Sequence, residues 1–273
     1  EEMQGLECPL CQKERLRRNR LIEPEDARVK EEPWLSALYI HQNNEPKYHA
    51  MLLRAVERAK RGEGGPRHIL WVRAQDKPQN PKEIADNPRV LERKMEGWLQ
   101  FHDMKTAGIP GLFPLYMGLK VRVTEKIAKT KATTILKHTS STVIGWDLHE
   151  ADRMHLEGSQ RLLDYMPRAI YDHVPGATWK VHPKLPAGVF PLKPVRRERT
   201  VNKGTGAKAT RRGFTLVPDL ACTGFMVQGT TLPVALAECG DHLVHFGLTE
   251  VDTADVMLSR VRQAASQLRL GPF

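Results

Sequence analysis

The sequence predicts an α/β chain, on three observations. A short apolar stretch, Leu35 to Ile40, leads into a segment of helical spacing, and the apolar run 68–74 (HILWVRA) follows. From residue 112 apolar and polar residues alternate, the mark of half-buried strands. After residue 200 a basic, Gly-tipped segment leads to a region that joins a polar Gln-Gly-Thr-Thr turn to an amphipathic helix. The expected organisation is a basic Cys-x-x-Cys segment and linker over 1–34, the first part of an α/β domain over 35–111, a β-rich insertion over 112–200, and the last part of the α/β domain over 201–273.

Length and composition set the frame. At 273 residues the chain has room for about two domains, and 40% hydrophobic content is enough for a core. No apolar run approaches the ~18 residues of a membrane span, and no secretory signal pattern occurs. The chain begins at Glu1 rather than Met, and a fragment or processed product is expected. A net charge of +10 favours a polyanionic partner, although it also serves solubility. Four cysteines do not make a disulfide framework in a chain of this size, so a reducing, intracellular setting is expected.

Cys8 and Cys11 supply half of a zinc site, since tetrahedral zinc needs four ligands. No second pair exists, and His41 and His49 are eight residues apart, so no metal site is assigned. A redox pair or two incidental thiols are the other readings. The strand Leu35 to Ile40 ends in polar His41, Gln42 and Asn43, with Asn44 as N-cap of the helix that follows. That helix carries Tyr48, Met51, Leu52, Ala55, Val56 and Ala59 on one face. Strand, helix and strand in this order predict a βαβ unit in a parallel sheet.

Residues 75–111 are Pro/Asn-rich, then helical through Leu91, Met95, Trp98 and Leu99, then GIPG. In 112–127, Leu119, Val121 and Val123 alternate with Lys120, Arg122 and Thr124, and β pattern continues to about residue 148. Residues 151–166 read as a helix. His149-Glu150 fails as a metalloprotease motif because Arg153 stands where the second histidine is needed. Ser140 and Ser141 lack the glycines of a hydrolase elbow. The segment VNKGTGAKATRR reads as a basic hairpin. Arg196, Arg197, Arg199, Lys203, Lys208, Arg211 and Arg212 in and around it predict contact with nucleic acid, or else a solvated ribbon.

The C-terminal stretch 211–262 joins Arg211, Arg212 and Phe214 to the turn Gln228-Gly229-Thr230-Thr231 and the helix bearing Leu258-Ser259-Arg260-Val261-Arg262. Such a turn can hold a phosphate, because glycine lets backbone N–H groups approach and threonine adds a donor. Arg260 can present a rigid fork of donors to an anion. A hairpin turn beside an amphipathic helix with solvated arginines satisfies the same spacing.

This stretch resembles the last motifs of superfamily-1 DNA helicases of the PIF/RecD type, including those of Helitron transposons. Arg212, Phe214, Leu216, Ala221, Thr223, Gln228, Gly229, Thr231 and Leu232 match one motif, and Val256, Leu258, Ser259, Arg260, Val261 and Arg262 match the other. The resemblance covers about 35–74 and 112–262. It departs where the family's His-Lys-Ser before Gln-Gly is replaced by Phe225, Met226 and Val227, and where Asp255 replaces a tyrosine.

The resemblance implies a RecA-like, P-loop-NTPase-type second motor domain with an inserted small SH3-like β-barrel. It implies that Arg260 is the catalytic arginine finger, that Gln228, Gly229 and Arg260 meet the nucleotide, and that Thr231 contacts nucleic acid. Its implied partners are single-stranded DNA and an upstream motor domain of the same parent, in a nuclear, intracellular setting of DNA repair or recombination. ATP and Mg²⁺ would be bound only in a complete parent. The sequence itself contains no G-x-x-x-x-G-K-[ST] loop and no acidic box after an apolar strand, so it cannot hydrolyse ATP unaided. A non-catalytic nucleic-acid-binding protein and a decayed mobile-element relic are the alternative readings.

Overall fold

A computed structural model describes residues 21–22, 31–34, 37–41, 43–61, 65–129, 133–153, 159–227, 231–238 and 267–270. The chain divides into two compact units, one of residues 1–47 with 221–273 and one of residues 48–220.

The first unit is built on a five-stranded sheet of order β1 (Leu21–Ile22), β18 (Gln267–Leu270), β17 (Ala235–Glu238), β2 (Leu38–His41) and β16 (Ala221–Thr223). Every pairing in it is parallel. Strand alternation puts Ile40, Ala235 and Ala237 into one apolar cluster with Cys222 and Val227, while Ala37 and Leu236 enter another with Trp34 and Tyr39. A parallel sheet needs both faces covered, and these short alternating residues supply both.

Helix α1 (Asn44–Lys60) follows β2 directly. Tyr48, Met51, Ala55 and Ala59 are buried along it, on the face that the spacing predicts. The Tyr48 hydroxyl donates to the Leu112 carbonyl and accepts from its N–H, both at 3.4 Å, which fixes the helix to β5 (Leu112–Leu115).

The strand after α1 does not complete the expected βαβ unit. β3 (Ile69–Arg73) lies in the second unit, parallel to β10 (Gln160–Leu162) and antiparallel to β5, in a sheet separate from that of β2. Residue order told of a strand, a helix and a strand, but not of partners. The neighbours of β2 come from β16 and β17, almost two hundred residues downstream.

The main sheet of the second unit is antiparallel. Its order is β12 (Val189–Leu192), β11 (Ala169–His173), β9 (Ser140–Asp147), β6 (Lys120–Val123) and β15 (Leu216–Pro218). Val121, Val123, Val143, Ile170, Phe190 and Leu216 from these strands share the largest core cluster. The edge strands β12 and β15 do not pair, so no closed barrel forms among the described residues, and the SH3-like closure expected of the insertion is absent there. One edge, β15, comes from beyond residue 200. Between β6 and β9 in the sequence, β7 (Ala128–Lys129) and β8 (Thr134–Ile135) form a separate antiparallel pair.

The third sheet pairs β13 (Val195–Thr200) with β14 (Lys208–Gly213) and β14 with β4 (Gln75–Pro78), all antiparallel. Helix α2 (Pro88–Trp98) begins with Pro88 after Asn87, whose side chain accepts from the Val90 N–H at 3.0 Å. Its Leu91, Met95 and Trp98 pack with Ala207 and Ala209 of the hairpin. Past its end, Gly111 lies so close to the Leu99 backbone that a Cβ would meet the Leu99 carbonyl oxygen at 2.2 Å. Only glycine permits that approach.

The helix expected over 151–166 is not continuous, since its later part is a strand. α3 spans Glu150–Arg153, and β10 occupies 160–162. The cause is Asp152, fully buried, whose carboxylate accepts from the N–H groups of Asp164 and Tyr165 and from Arg161 at 3.0 Å. Asp side chains that capture nearby backbone donors compete with helix.

Asp172 on β11 is the opposite case. It faces Val143 and Phe190 across its neighbours, has no exposure, and neither carboxylate oxygen has a hydrogen-bond partner among the described residues. Burial pushes its carboxyl up to about 7 from 3.8. A raised folded value means that the folded chain holds a proton which the unfolded chain has released. Stability from this group is therefore full below about pH 4 and is lost as pH rises to about 7. Replacing Asp172 by Asn removes that loss. Chemical denaturation is expected to show Asp172→Asn and wild type diverging with pH, the variant being more stable at pH 8 by up to about 4 kcal/mol.

Candidate nucleic-acid interface

The basic hairpin expected from the sequence forms, and strand alternation sorts its charges onto two faces. Residues opposite one another share a face, so the register places Arg196 with Arg212 and Gln75, Glu198 with Thr210 and Lys77, and Thr200 with Lys208. This outer face carries Arg196, Arg212, Lys77 and Lys208 against one carboxylate, Glu198. Arg196, Lys77 and Lys208 are exposed and Arg212 is half-buried. Lys203 is exposed in the turn that joins the strands.

Glu198 is already engaged. Lys208 Nζ donates to it at 2.7 Å and Gln79 donates to its other oxygen. The bond from Lys208 holds its carboxyl below the ordinary range. Arg212 donates to the Gln75 side chain at 3.2 Å. Arg196 and Lys77 have no side-chain partner among the described residues, so both are available to an anion. Lys77 was not among the residues singled out from sequence. It lies in a Pro/Asn-rich stretch that reads as loop, and only its pairing with Thr210 brings it to this face.

The inner face holds the other arginines, and they are not surface contacts. Arg211 is fully buried. Its Nε and Nη2 donate to the two oxygens of Asp76 at 2.9 and 2.6 Å, Nη2 donates also to the Trp98 carbonyl at 2.9 Å, and Nη1 to that of Ile109 at 3.3 Å. Arg199, 5% exposed, reaches Asp76 at 3.5 Å and lies 4.8 Å over the Trp98 ring. Burial first, and the charge of Arg211 second, pull its guanidinium below the ordinary value, while Asp76 opposes them. The expectation of phosphate contact is thus corrected for Arg211 and Arg199, which are enclosed under the sheet. Arg197, at the rim of that face, pairs with Glu125 at 2.6 Å.

In the first unit, β2 and β16 run parallel with His41 opposite Thr223, so both strands end at one edge. A 3-10 turn, Gly224–Val227, continues from β16. Val227 is buried and Met226 packs against the same apolar cluster as Ile40 and Cys222. Two of the three residues that depart from the helicase motif are therefore core residues of this sheet. Thr231 is exposed. Gln228, Gly229 and Arg260, like Cys8 and Cys11, lie outside the described residues. Among the described residues no cluster of three or more His, Cys, Asp or Glu could hold a metal, and no helix is long and apolar enough to cross a membrane.

No family model matches this sequence, and no curated protein matches it. Solved structures do. The Pif1 helicase from Candida albicans superposes with a TM-score of 0.50 at 15% identity, over 94% of this chain and 48% of that one. Bacteroides Pif1 bound to ssDNA gives 0.50 at 11% identity, over 93% and 44%. The chain has a mixed α/β fold similar to that of these two structures and spans about half the length of these proteins.

The two faces of the ribbon make separable predictions. Removing Asp76 leaves two buried guanidiniums without their carboxylate, and Asp76→Ala is expected to cost about 3–5 kcal/mol in denaturant unfolding. Arg196→Ala, on the outer face, is expected to move stability by less than about 0.5 kcal/mol.

Proposed function

We propose that this chain is the second motor domain of an ATP-dependent DNA helicase of the PIF/RecD type, related to those of Helitron transposons, and that the outer face of β13, β14 and β4 contacts single-stranded DNA. The observation that carries the motor reading is the parallel sheet of the first unit. Ligands of open parallel sheets gather at the carboxyl ends of the strands, and the Gln228-Gly229 motif follows the carboxyl end of β16 by one 3-10 turn. The likeness in fold to two Pif1 helicases supports the same reading.

Roles then follow from the motif residues. Gln228 and Gly229 meet the nucleotide, Thr231 contacts the strand, and Arg260 supplies positive charge to the transferring phosphoryl group. ATP and Mg²⁺ belong chiefly to an upstream domain of a complete parent, because this sequence has no phosphate-cradling loop. The basic face supplies the sequence-independent part of strand binding through Arg196, Lys77, Lys208, Arg212 and Lys203.

A second reading has its own observation. Met226 and Val227 pack into the core where the family has polar residues, which favours a non-catalytic nucleic-acid-binding protein, or a decayed relic of a mobile-element helicase. Arg260→Ala in a motor reconstituted with an upstream domain separates them. A working motor loses ATPase activity and keeps most of its DNA binding, whereas an adaptor has no ATPase activity to lose.

Strand binding has its own test. Affinity for a short oligothymidylate, measured by fluorescence anisotropy, is expected to fall steeply with salt, since each neutralised phosphate releases counterions. Arg196→Ala and Lys77→Ala are each expected to lower the log–log salt slope by about 0.7, the single-strand value per contact. A binding curve flat in salt would sink this assignment.

A further inference from the structure

The second unit contains a cavity beside the ribbon, which shares Gln75 with the ribbon's outer face and Asp76 with its inner cluster. It encloses about 260 Å³ and is walled by Arg73, Gln75, Met95, Leu99, Asp164 and Tyr165, among others. It opens where β3 and β10, which are parallel neighbours, run out at their carboxyl ends. Its volume lies just below that of most ligand pockets, which span about 300–1,000 Å³. A nucleobase fills such a cavity, with any sugar and phosphate attached to it reaching the mouth.

Its chemistry is mixed in an ordered way. The Tyr165 ring is stacked on His149 at 4.1 Å and is still 48% exposed, so it offers an aromatic surface already fixed in orientation. Met95 and Leu99 supply apolar wall. Arg73 is exposed and has no partner among the described residues. Asp76, which also lines the cavity, is shared between two buried guanidiniums, leaving one positive charge uncompensated behind that wall. On the other wall Asp164 is 76% exposed and reaches Arg161 only at 3.4 Å, so its carboxylate can accept a further donor.

We propose that this cavity binds one nucleotide unit. The base stacks on Tyr165 between Met95 and Leu99, an exocyclic amino group donates to Asp164, and the phosphate meets Arg73 on the positively charged side. Aromatic stacking is tolerant of base identity and Arg is suited to phosphate oxygens, so the preference falls to the Asp164 acceptor, which favours an amino-bearing nucleotide such as dAMP over dTMP. The same chemistry is offered by a free mononucleotide and by a nucleotide within a strand. The inference does not depend on a helicase parent.

The test is calorimetric titration of the full chain with dAMP, with Tyr165→Ala, Arg73→Ala, Tyr165→Phe and Arg196→Ala alongside. Saturable binding is expected, weakened about tenfold or more by Tyr165→Ala and comparably by Arg73→Ala, and largely kept by Tyr165→Phe. Arg196→Ala, a variant of the ribbon face, is expected to leave dAMP affinity unchanged while it lowers oligothymidylate affinity. That contrast keeps failure of the pocket distinct from failure of the strand interface. Competition of dAMP by a short oligodeoxyadenylate identifies the strand as the source, and its absence identifies the free nucleotide. No saturable dAMP binding into the low-millimolar range overturns the proposal. So does binding that Tyr165→Ala and Arg73→Ala leave untouched in folded protein.

Discussion

The second unit depends on one carboxylate. Asp76 receives two donors from Arg211 and one from Arg199, and Arg211 carries on to the carbonyls of Trp98 and Ile109. Five segments are thereby held at a single point: β4, β13, β14, the end of α2 and the loop before β5. Burying these charges is costly, and such a cluster is tolerated only when its donors and acceptors are nearly all used. Arg211 meets that condition with four hydrogen bonds. Arg199 meets it less well, with a long contact and the face of an indole.

The same strand chemistry that makes this cluster also makes the surface. Along β14, successive residues point to opposite faces, so Arg211 goes under the sheet and Arg212 over it. Counting basic residues could not separate the two. The hairpin was legible in the sequence from Gly204 and Gly206 between two basic runs. Which arginines it would bury was not, because that depends on β4, whose Gln75 to Pro78 carry none of the β-branched or aromatic residues by which strands are recognised. Lys77 was missed for that reason.

Local signals were read well wherever the deciding contacts are local. The apolar faces of α1 and α2 and the alternation of β6 all appear as their spacing indicates. Reading failed where distant partners decide. β2 and β3 look like one βαβ unit and belong to different sheets, since β2 is flanked by strands from the far end of the chain. The helix expected over 151–166 gives way at its later part, where Asp152 captures backbone donors twelve and thirteen residues on. The motif departures belong here too. Met226 and Val227 read as lost polar functions, yet packing beside Ile40 and Cys222 gives them a structural role that sequence comparison alone cannot see.

Fold and binding meet at Asp76. Two guanidiniums on one carboxylate leave an excess positive charge in a poorly solvated place, which by itself lowers stability. An anion bound at the adjacent cavity would offset that excess, and anything that binds only the folded chain stabilises it in proportion to the logarithm of its concentration over Kd. The cluster that organises the ribbon would then be least strained electrostatically when the cavity is filled. A neutral arrangement, one arginine to one aspartate, would hold the strands together as well. It would leave attraction for a phosphate in the cavity to Arg73 alone.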